Sequence, residues 1–597
     1  MPLLNLTQSL MSARTQRRRG SALVALLAAL TLLGAGCERA APPAAEVVRA
    51  PTGAPAAPRL EGVGRSDFAA TTRSPQARAF FNQGLSLAFA FDHGEAQRAF
   101  AEALRLDPAC AICAWGLSYV TGPYVNRPER DDLVATRAHA ERALQLAGQA
   151  SERERALIRA QAIRVGLDPA VSAAAAGPAS AVPLPPGVLC LPRVPRDADP
   201  ADLAYAQAMA RVAFDHPDDA DLGVLHAEAL MMLAPWDWWT KQGEPNDGTR
   251  EAIAELQRVL ARAPEHAGAL HYLIHAYEQS PTPQHAAGAA QRLPALAPQA
   301  GHLVHMPSHI WMRLGRYADA VTANEAAIDA DTALAAQMRA QGFAPVSVPS
   351  HHLHFLWSSA SLAGAGAVAI GAADDAAAAA AGGAETFGGG NDYFLALPLF
   401  ARVRFARWEE IDASPVPAGA SVYPKAIWHW ARGLSAARRG DAAAAGRELA
   451  ALQGLLPDAS LDERHFKGID ALRAFLELGA DSLKGEVHAA RRQWPQAIAA
   501  LERAVEREDA LESEEPPPWA LSTRVQLAGV QLLAGRARDA ERSARADLQR
   551  HPANGWALYA LAASLQRQGR TADAQAARAQ FEAAWKSADL ARPDARY

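Results

Sequence analysis

Ten of the chain's 18 histidines, His266, His271, His275, His285, His302, His305, His309, His351, His352 and His354, fall within 89 residues of a 597-residue sequence. His271 with His275, and His305 with His309, are i,i+4 pairs. On a helix such a pair puts both imidazoles on one face, with Cβ atoms about 6 Å apart. The second pair repeats the first after 34 residues. Packed helices lie about 8–10 Å apart, so four imidazoles at the corners of that rectangle can reach a shared ion at about 2.0–2.1 Å per nitrogen. Glu278, one turn beyond His275, adds a carboxylate, and His302 and His354 complete a predicted ligand set of His271, His275, Glu278, His302, His305, His309 and His354. His351 and His352 extend it.

Imidazole ligation with one carboxylate suits zinc, copper, nickel or iron, and Met306 and Met312 lean slightly toward copper by softness. An open coordination position would activate water or dioxygen, so a metalloenzyme, hydrolytic or oxygen-activating, stands as the alternative to a site that only binds. A third reading needs no metal. Histidines lining a groove contact a peptide and titrate together between about pH 5 and 7.

Other chemistry is sparse. The chain has no phosphate-binding glycine loop, nucleophile elbow or His-Glu-x-x-His motif. Its 59 basic and 64 acidic residues give a formal net charge of −5, with no basic block after residue 19, so nucleic acid is not an expected partner. Trp236-Asp237-Trp238-Trp239 offers aromatic surface as a lid over a ligand or as packing, and His226, with Glu228, lies on an earlier helix. Cys110-Ala111-Ile112-Cys113 reads as a local disulfide or as two small buried thiols, since no His follows to attach haem and no second pair completes a zinc site. Glu512 to Glu515, before three prolines, reads as a solvated connector.

What must position the histidines is a repeat. Pro264 and Pro298, Gly535 and Gly569, and Ala540 and Ala574 are each 34 residues apart. Phe80, Gly84, Ala96, Phe100, Ala103 and Pro108 in one segment, and Gly315, Tyr317 and Ala320 in another, follow the same pattern. These residues resemble the tetratricopeptide repeat (TPR), and the stretches Phe80 to Gly116, Leu230 to Trp239, His266 to Gly315 and His351 to Trp357 are similar to a group of bacterial TPR proteins. The resemblance implies an all-α solenoid of helix-turn-helix units. It also implies a concave groove that takes a protein or peptide partner. In the TPR register, units start near Ala267, Gly301 and Ser350, and the fifth and ninth positions, which face the groove, are held by His271 and His275 and by His305 and His309. His354 takes the fifth position of its unit. His226, His351, His352, Met312, Trp236 and Trp238 are the further groove residues expected. Pro307 disrupts a regular helix from Gly301, which predicts a start near His305 with His302 on the preceding loop.

The N-terminus carries an address. Arg14, Arg17, Arg18 and Arg19 precede an apolar run from Ser21 to Leu33 that ends in Leu32-Leu33-Gly34-Ala35-Gly36-Cys37. This resembles a bacterial lipoprotein signal, with Gly34 departing from the usual larger aliphatic residue. The resemblance implies lipidation of Cys37, a membrane anchor and a place in the cell envelope, facing the periplasm. The organisation expected is signal 1–37, Ala/Pro-rich linker 38–65, a His-bearing array 66–386 and a second array 391–590. A Cys37→Ser variant expressed in a bacterial host should lose fatty-acid labelling and leave the membrane fraction; unchanged labelling would show that Cys37 is not the lipid site.

Overall fold

In the computed structural model, which describes residues 55–130, 132–167, 198–246, 248–345, 350–382, 391–419, 421–463, 465–466, 470–511, 515–519 and 521–593, helix follows helix. The first part comprises α1 (Pro75–Phe89), α2 (His93–Leu106), α3 (Ala111–Thr121), α4 (Val134–Leu146), α5 (Glu152–Arg164), α6 (Pro200–Asp215), α7 (Ala220–Met231) and α8 (Thr249–Arg262). The His-rich region holds α9 (Ala267–Glu278), α10 (Ala287–Leu296), α11 (Gly301–His305), α12 (Pro307–Arg313), α13 (Tyr317–Ala340) and α14 (Ser350–Ala363). Beyond it come α15 (Gly366–Ala381), α16 (Asn391–Arg404), α17 (Trp408–Ala413), α18 (Val422–Arg438), α19 (Ala442–Leu455) and α20 (Ser460–Glu463). The last are α21 (Leu472–Ala490), α22 (Trp494–Ala510), α23 (Thr523–Leu533), α24 (Ala537–Arg550), α25 (Gly555–Arg567) and α26 (Thr571–Ala584). Strand pairing is confined, among the described residues, to His465–Phe466 against Asp470–Ala471 and two isolated bridges.

Local signals set the helix ends. Ser74 caps α1 and Pro75 opens it, while Ser151 and Glu154 form a capping box on α5. Gly535 and Gly569, both at φ 75°, turn the chain between α23 and α24 and between α25 and α26. Each helix packs chiefly on its sequence neighbour, as in a solenoid. The seam of the first unit is a single ring, because Phe100 on α2 lies under Gly84 of α1 and Gly116 of α3. A Cβ added at those glycines would stand 2.8 and 2.4 Å from Phe100. Small residues thus let the helices of a unit close on one large side chain, and the TPR-type all-α fold expected from the sequence is the one observed.

Two large apolar cores run along the array, one from Ala57 to Ala363 and one from Leu356 to Trp585, so α14 contributes to both. Residues 55–65, expected within the linker, are instead docked on the array. Gln83 accepts from the Leu60 amide and donates to Pro58 O, and the side chains of Gln341 and Gln337 accept from the amides of Arg59 and Glu61. Ala57, Leu60 and Val63 are buried there. From Pro55 onward the chain forms one unit. No helix among the described residues is long and apolar enough to cross a membrane.

Phe100 sets a test. A Gly→Ala change in an open helix gains roughly 1 kcal/mol from propensity, yet Gly116→Ala should lower stability to urea by about 1–3 kcal/mol through overpacking. Adding Phe100→Leu should recover part of that loss. Stabilisation by Gly116→Ala alone would show that the seam is loose.

Candidate metal centre

Three helix starts fall where the register puts them, at Ala267, Gly301 and Ser350. His266 caps α9, its Nδ1 accepting from the Ala269 amide. Gly301 opens α11 against Asp331, whose Oδ1 would lie 1.9 Å from any Cβ at that position. The expectation of a helix starting near His305 is corrected here. α11 and α12 join at Met306, which keeps helical angles of φ −50° and ψ −35°. Pro307 thus begins a second segment, where its missing N–H interrupts the ladder without unwinding it. His302 consequently sits on a helix and not on a loop.

Six imidazoles gather in two triads. The ligating atoms of His271, His275 and His302 lie within 4.8 Å of one another, and so do those of His305, His309 and His351. In each triad two Nε2 atoms face each other at 3.0 Å, His271 to His302 and His305 to His309. That is the separation of two nitrogens each about 2.1 Å from one ion, with an angle at the ion close to a right angle. The triads adjoin, with ring centroids 6.0 Å apart for His302 and His305 and for His275 and His309.

The opposite ring nitrogens are held from behind. Nδ1 of His271 lies 2.7 Å from Phe89 O, and Nδ1 of His305 lies 2.7 Å from Asn324 Oδ1, with Ser308 Oγ at 3.2 Å. Because Asn324 Nδ2 donates to Ala320 O, its Oδ1 must accept, which places the His305 proton on Nδ1 and a lone pair on Nε2. Nδ1 of His275 donates to Glu278 Oε1 at 3.1 Å. Nδ1 of His309 lies 2.8 Å from Glu515 Oε2 and 2.9 Å from Glu278 Oε2. Glu278 therefore stands behind both triads, orienting a member of each. Expected from the sequence as a ligand, it meets the Nδ1 atoms of His275 and His309 with its two oxygens, an arrangement outer-shell carboxylates also adopt. Glu278, His309 and Glu515 also form a third close group.

Electrostatics follow from burial. His271, His305 and His275 are at most 2% exposed and His309 is 4% exposed. Burial, reinforced by neighbouring imidazoles, holds His271, His302 and His305 well below the ordinary histidine pKa, so they are neutral donors. At His309 burial opposes the charge, but Glu278 and Glu515 outweigh it and raise the pKa to about 9. Burial pushes Glu278 upward, yet His309 and His275 hold it well below the usual carboxylate range. His275 Nε2 is a buried atom with no hydrogen-bond partner.

The chamber is covered and does not line an open groove, contrary to the sequence expectation. Phe91, at φ 58° in the α1–α2 turn, sets its ring 4.4 Å from His271 and 5.4 Å from His275 and His302. Phe355 covers the second triad, 4.6, 4.4 and 5.0 Å from His305, His309 and His351. Trp236 stands edge-on to His275 at 5.5 Å, one third exposed, its Nε1 donating to Val125 O. Glu515 arrives from the segment expected to be a solvated connector and is largely buried against His309, with Arg313 3.7 Å away. Sequence spacing gave no warning of it. A cavity of about 200 Å³ near the second triad is lined by Asp92, Glu95 and Asp331, and Asp331 also holds His352 Nδ1 at 2.8 Å.

The other expected site residues are dispersed. His351 takes the place given to His354, which stacks on Trp357 and lies 3.2 Å from the Tyr393 hydroxyl. The ring of His352 is 4.8 Å from that of His305. His226 faces Glu255 at 3.7 Å, and Glu228 pairs with buried Arg164. Trp238 is buried with Nε1 donating to Met231 O, and Met312 is buried in the apolar core. Cys110 and Cys113 form a disulfide at the start of α3. Cys37 lies outside the described residues.

No family model and no curated protein matches the chain. Among solved structures it is similar to the human IFIT1 dimer with m7Gppp-AAAA (TM-score 0.29, 10% identity, covering 85% of this chain and 90% of that one). It is also similar to the APC/C hetero-tetramer Cut9-Hcn1 (0.25, 11%, 86% and 88%) and to the P58(IPK) TPR domain (0.21, 12%, 77% and 99%).

The back-side partners carry a stability cost when removed. Asn324→Ala should destabilise the protein by about 1–3 kcal/mol by leaving His305 Nδ1 short of its acceptor, and Asn324→Asp should restore most of it. An unchanged urea midpoint in Asn324→Ala would show that Ser308 suffices.

Proposed function

We propose that the chain is a cell-envelope TPR protein that holds a transition metal in the buried chamber, through His271, His275 and His302 and through His305, His309 and His351. The observation that carries this reading is His275 Nε2, buried and without a partner where other imidazole nitrogens converge. A buried polar atom left unsatisfied costs free energy, and a bound ion removes that cost. The donor set fits: imidazole nitrogens at the front, neutral at His271, His302 and His305 while His309 would release its proton on binding an ion, with carboxylate, amide and carbonyl oxygens behind. All-imidazole ligation suits zinc, copper, nickel or iron, with copper highest in affinity among divalent ions of such a set.

The enzymatic reading is favoured by one feature. Three protein nitrogens per triad leave a coordination position open, as catalytic sites do and closed structural sites do not. Whether hydrolytic or oxygen-activating, such a centre would use the bound ion as a Lewis acid or to activate a small oxygen ligand. The outer surface of the solenoid is left for a protein or peptide partner, and nucleic acid has no part in this reading. Anchoring through Cys37 would place the centre in the periplasm, where metal availability differs from the cytosol.

Protein purified from the periplasm or membrane without a His tag should contain a transition metal stoichiometrically, and a His271→Ala/His305→Ala variant should lose it. Trace content with no uptake on titration would defeat the proposal.

A further inference from the structure

Resting on that metal reading, we propose that the chamber is built for two ions, one per triad, set close enough to share a small ligand such as hydroxide, with Glu278 as the common outer-shell partner of both.

Six imidazoles exceed what one tetrahedral ion accepts. Their geometry divides them, because each set of three is mutually within 4.8 Å and each contains one Nε2 pair at 3.0 Å. Each triad also has its own cover, Phe91 over the first and Phe355 over the second, with ring centroids 4.4 to 5.4 Å away in every case. A single site would need one such wall.

The triads are nevertheless joined. Ring pairs of 6.0 Å link His302 to His305 and His275 to His309, so ions held at the Nε2 side of each triad are neighbours. Glu278 touches the back of both, Oε1 toward His275 Nδ1 and Oε2 toward His309 Nδ1. Two cations in a buried chamber require compensating charge. Glu278 and Glu515 stand one hydrogen-bond length behind the imidazoles, and Asp331 holds His352 beside His305. With three nitrogens at each ion, both keep an open position, and adjacent open positions are filled most simply by one oxygen ligand between them.

The test is copper(II) titration of the metal-free full chain, read by bound equivalents and electron paramagnetic resonance. Wild-type protein should bind two equivalents and give a signal broadened or quenched by the neighbouring ion. His302→Gln and His351→Gln, at the less buried members of each triad, should each retain one equivalent with a sharp mononuclear signal. Glu278→Gln should weaken both binding steps, by about 10- to 100-fold as outer-shell changes do, whereas Glu515→Gln should weaken only one. One equivalent in the wild type, abolished by either triad variant alone, would overturn the two-ion proposal while leaving the metal reading intact. Two equivalents with an unperturbed two-spin signal would overturn the adjacency. No uptake at all would remove the metal reading itself. The wild-type stoichiometry and signal decide the matter even if a variant fails to fold.

Discussion

A buried neutral imidazole has two nitrogens and one proton, and something must meet each nitrogen. That requirement organises the centre of this molecule. Facing the outer shell, the demand is met by Phe89 O, Asn324, Glu278 and Glu515. With Nδ1 of His271, His275, His305 and His309 so engaged, Nε2 of His271 and His305 are left to face those of His302 and His309, and Phe91 and Phe355 pack against the rings. Burial of uncompensated polar atoms is unfavourable, so the arrangement is stable as a proton-sharing network or as an ion-binding one, and the first of these leaves His275 Nε2 unmet.

The repeat register was legible because it rests on local contacts. Proline, glycine and alanine positions recur at 34 residues, and the helix starts at Ala267, Gly301 and Ser350 are where that arithmetic places them. The i,i+4 pairs His271/His275 and His305/His309 likewise needed only helix geometry. His302 was harder. Pro307 argued for a late helix start, and only the helical backbone of Met306 reconciles the proline with a helix that begins at Gly301.

What the sequence hid depends on contacts between distant segments. The groove expected from the register is closed by residues outside the His-rich units, Phe91 from the first hairpin and Glu515 from the proline-rich segment. Neither carries a signature, since a phenylalanine in a turn and a glutamate in an acidic run have bland readings that are usually right. Spacing puts the Glu278 carboxylate near an imidazole but does not say which nitrogen it meets, and only the folded chain sets its two oxygens at the Nδ1 atoms of His275 and His309. His351 and His354 are three apart on one helix, and only the folded chain shows that it is His351 which meets His305 and His309.

The reach of these contacts along the chain alters how the whole array must behave. Solenoids are held together by neighbour-to-neighbour interfaces and tend to fray or unfold in sections. Here His271 bonds to a carbonyl 182 residues away and His309 to a carboxylate 206 residues away. Those two ties close very large loops, the kind whose formation is entropically expensive and slow. They also bind early and late repeats into one cooperative block. Ions seated in the triads would tighten that block, so that occupancy at a few nitrogens would be felt as resistance to unfolding across hundreds of residues.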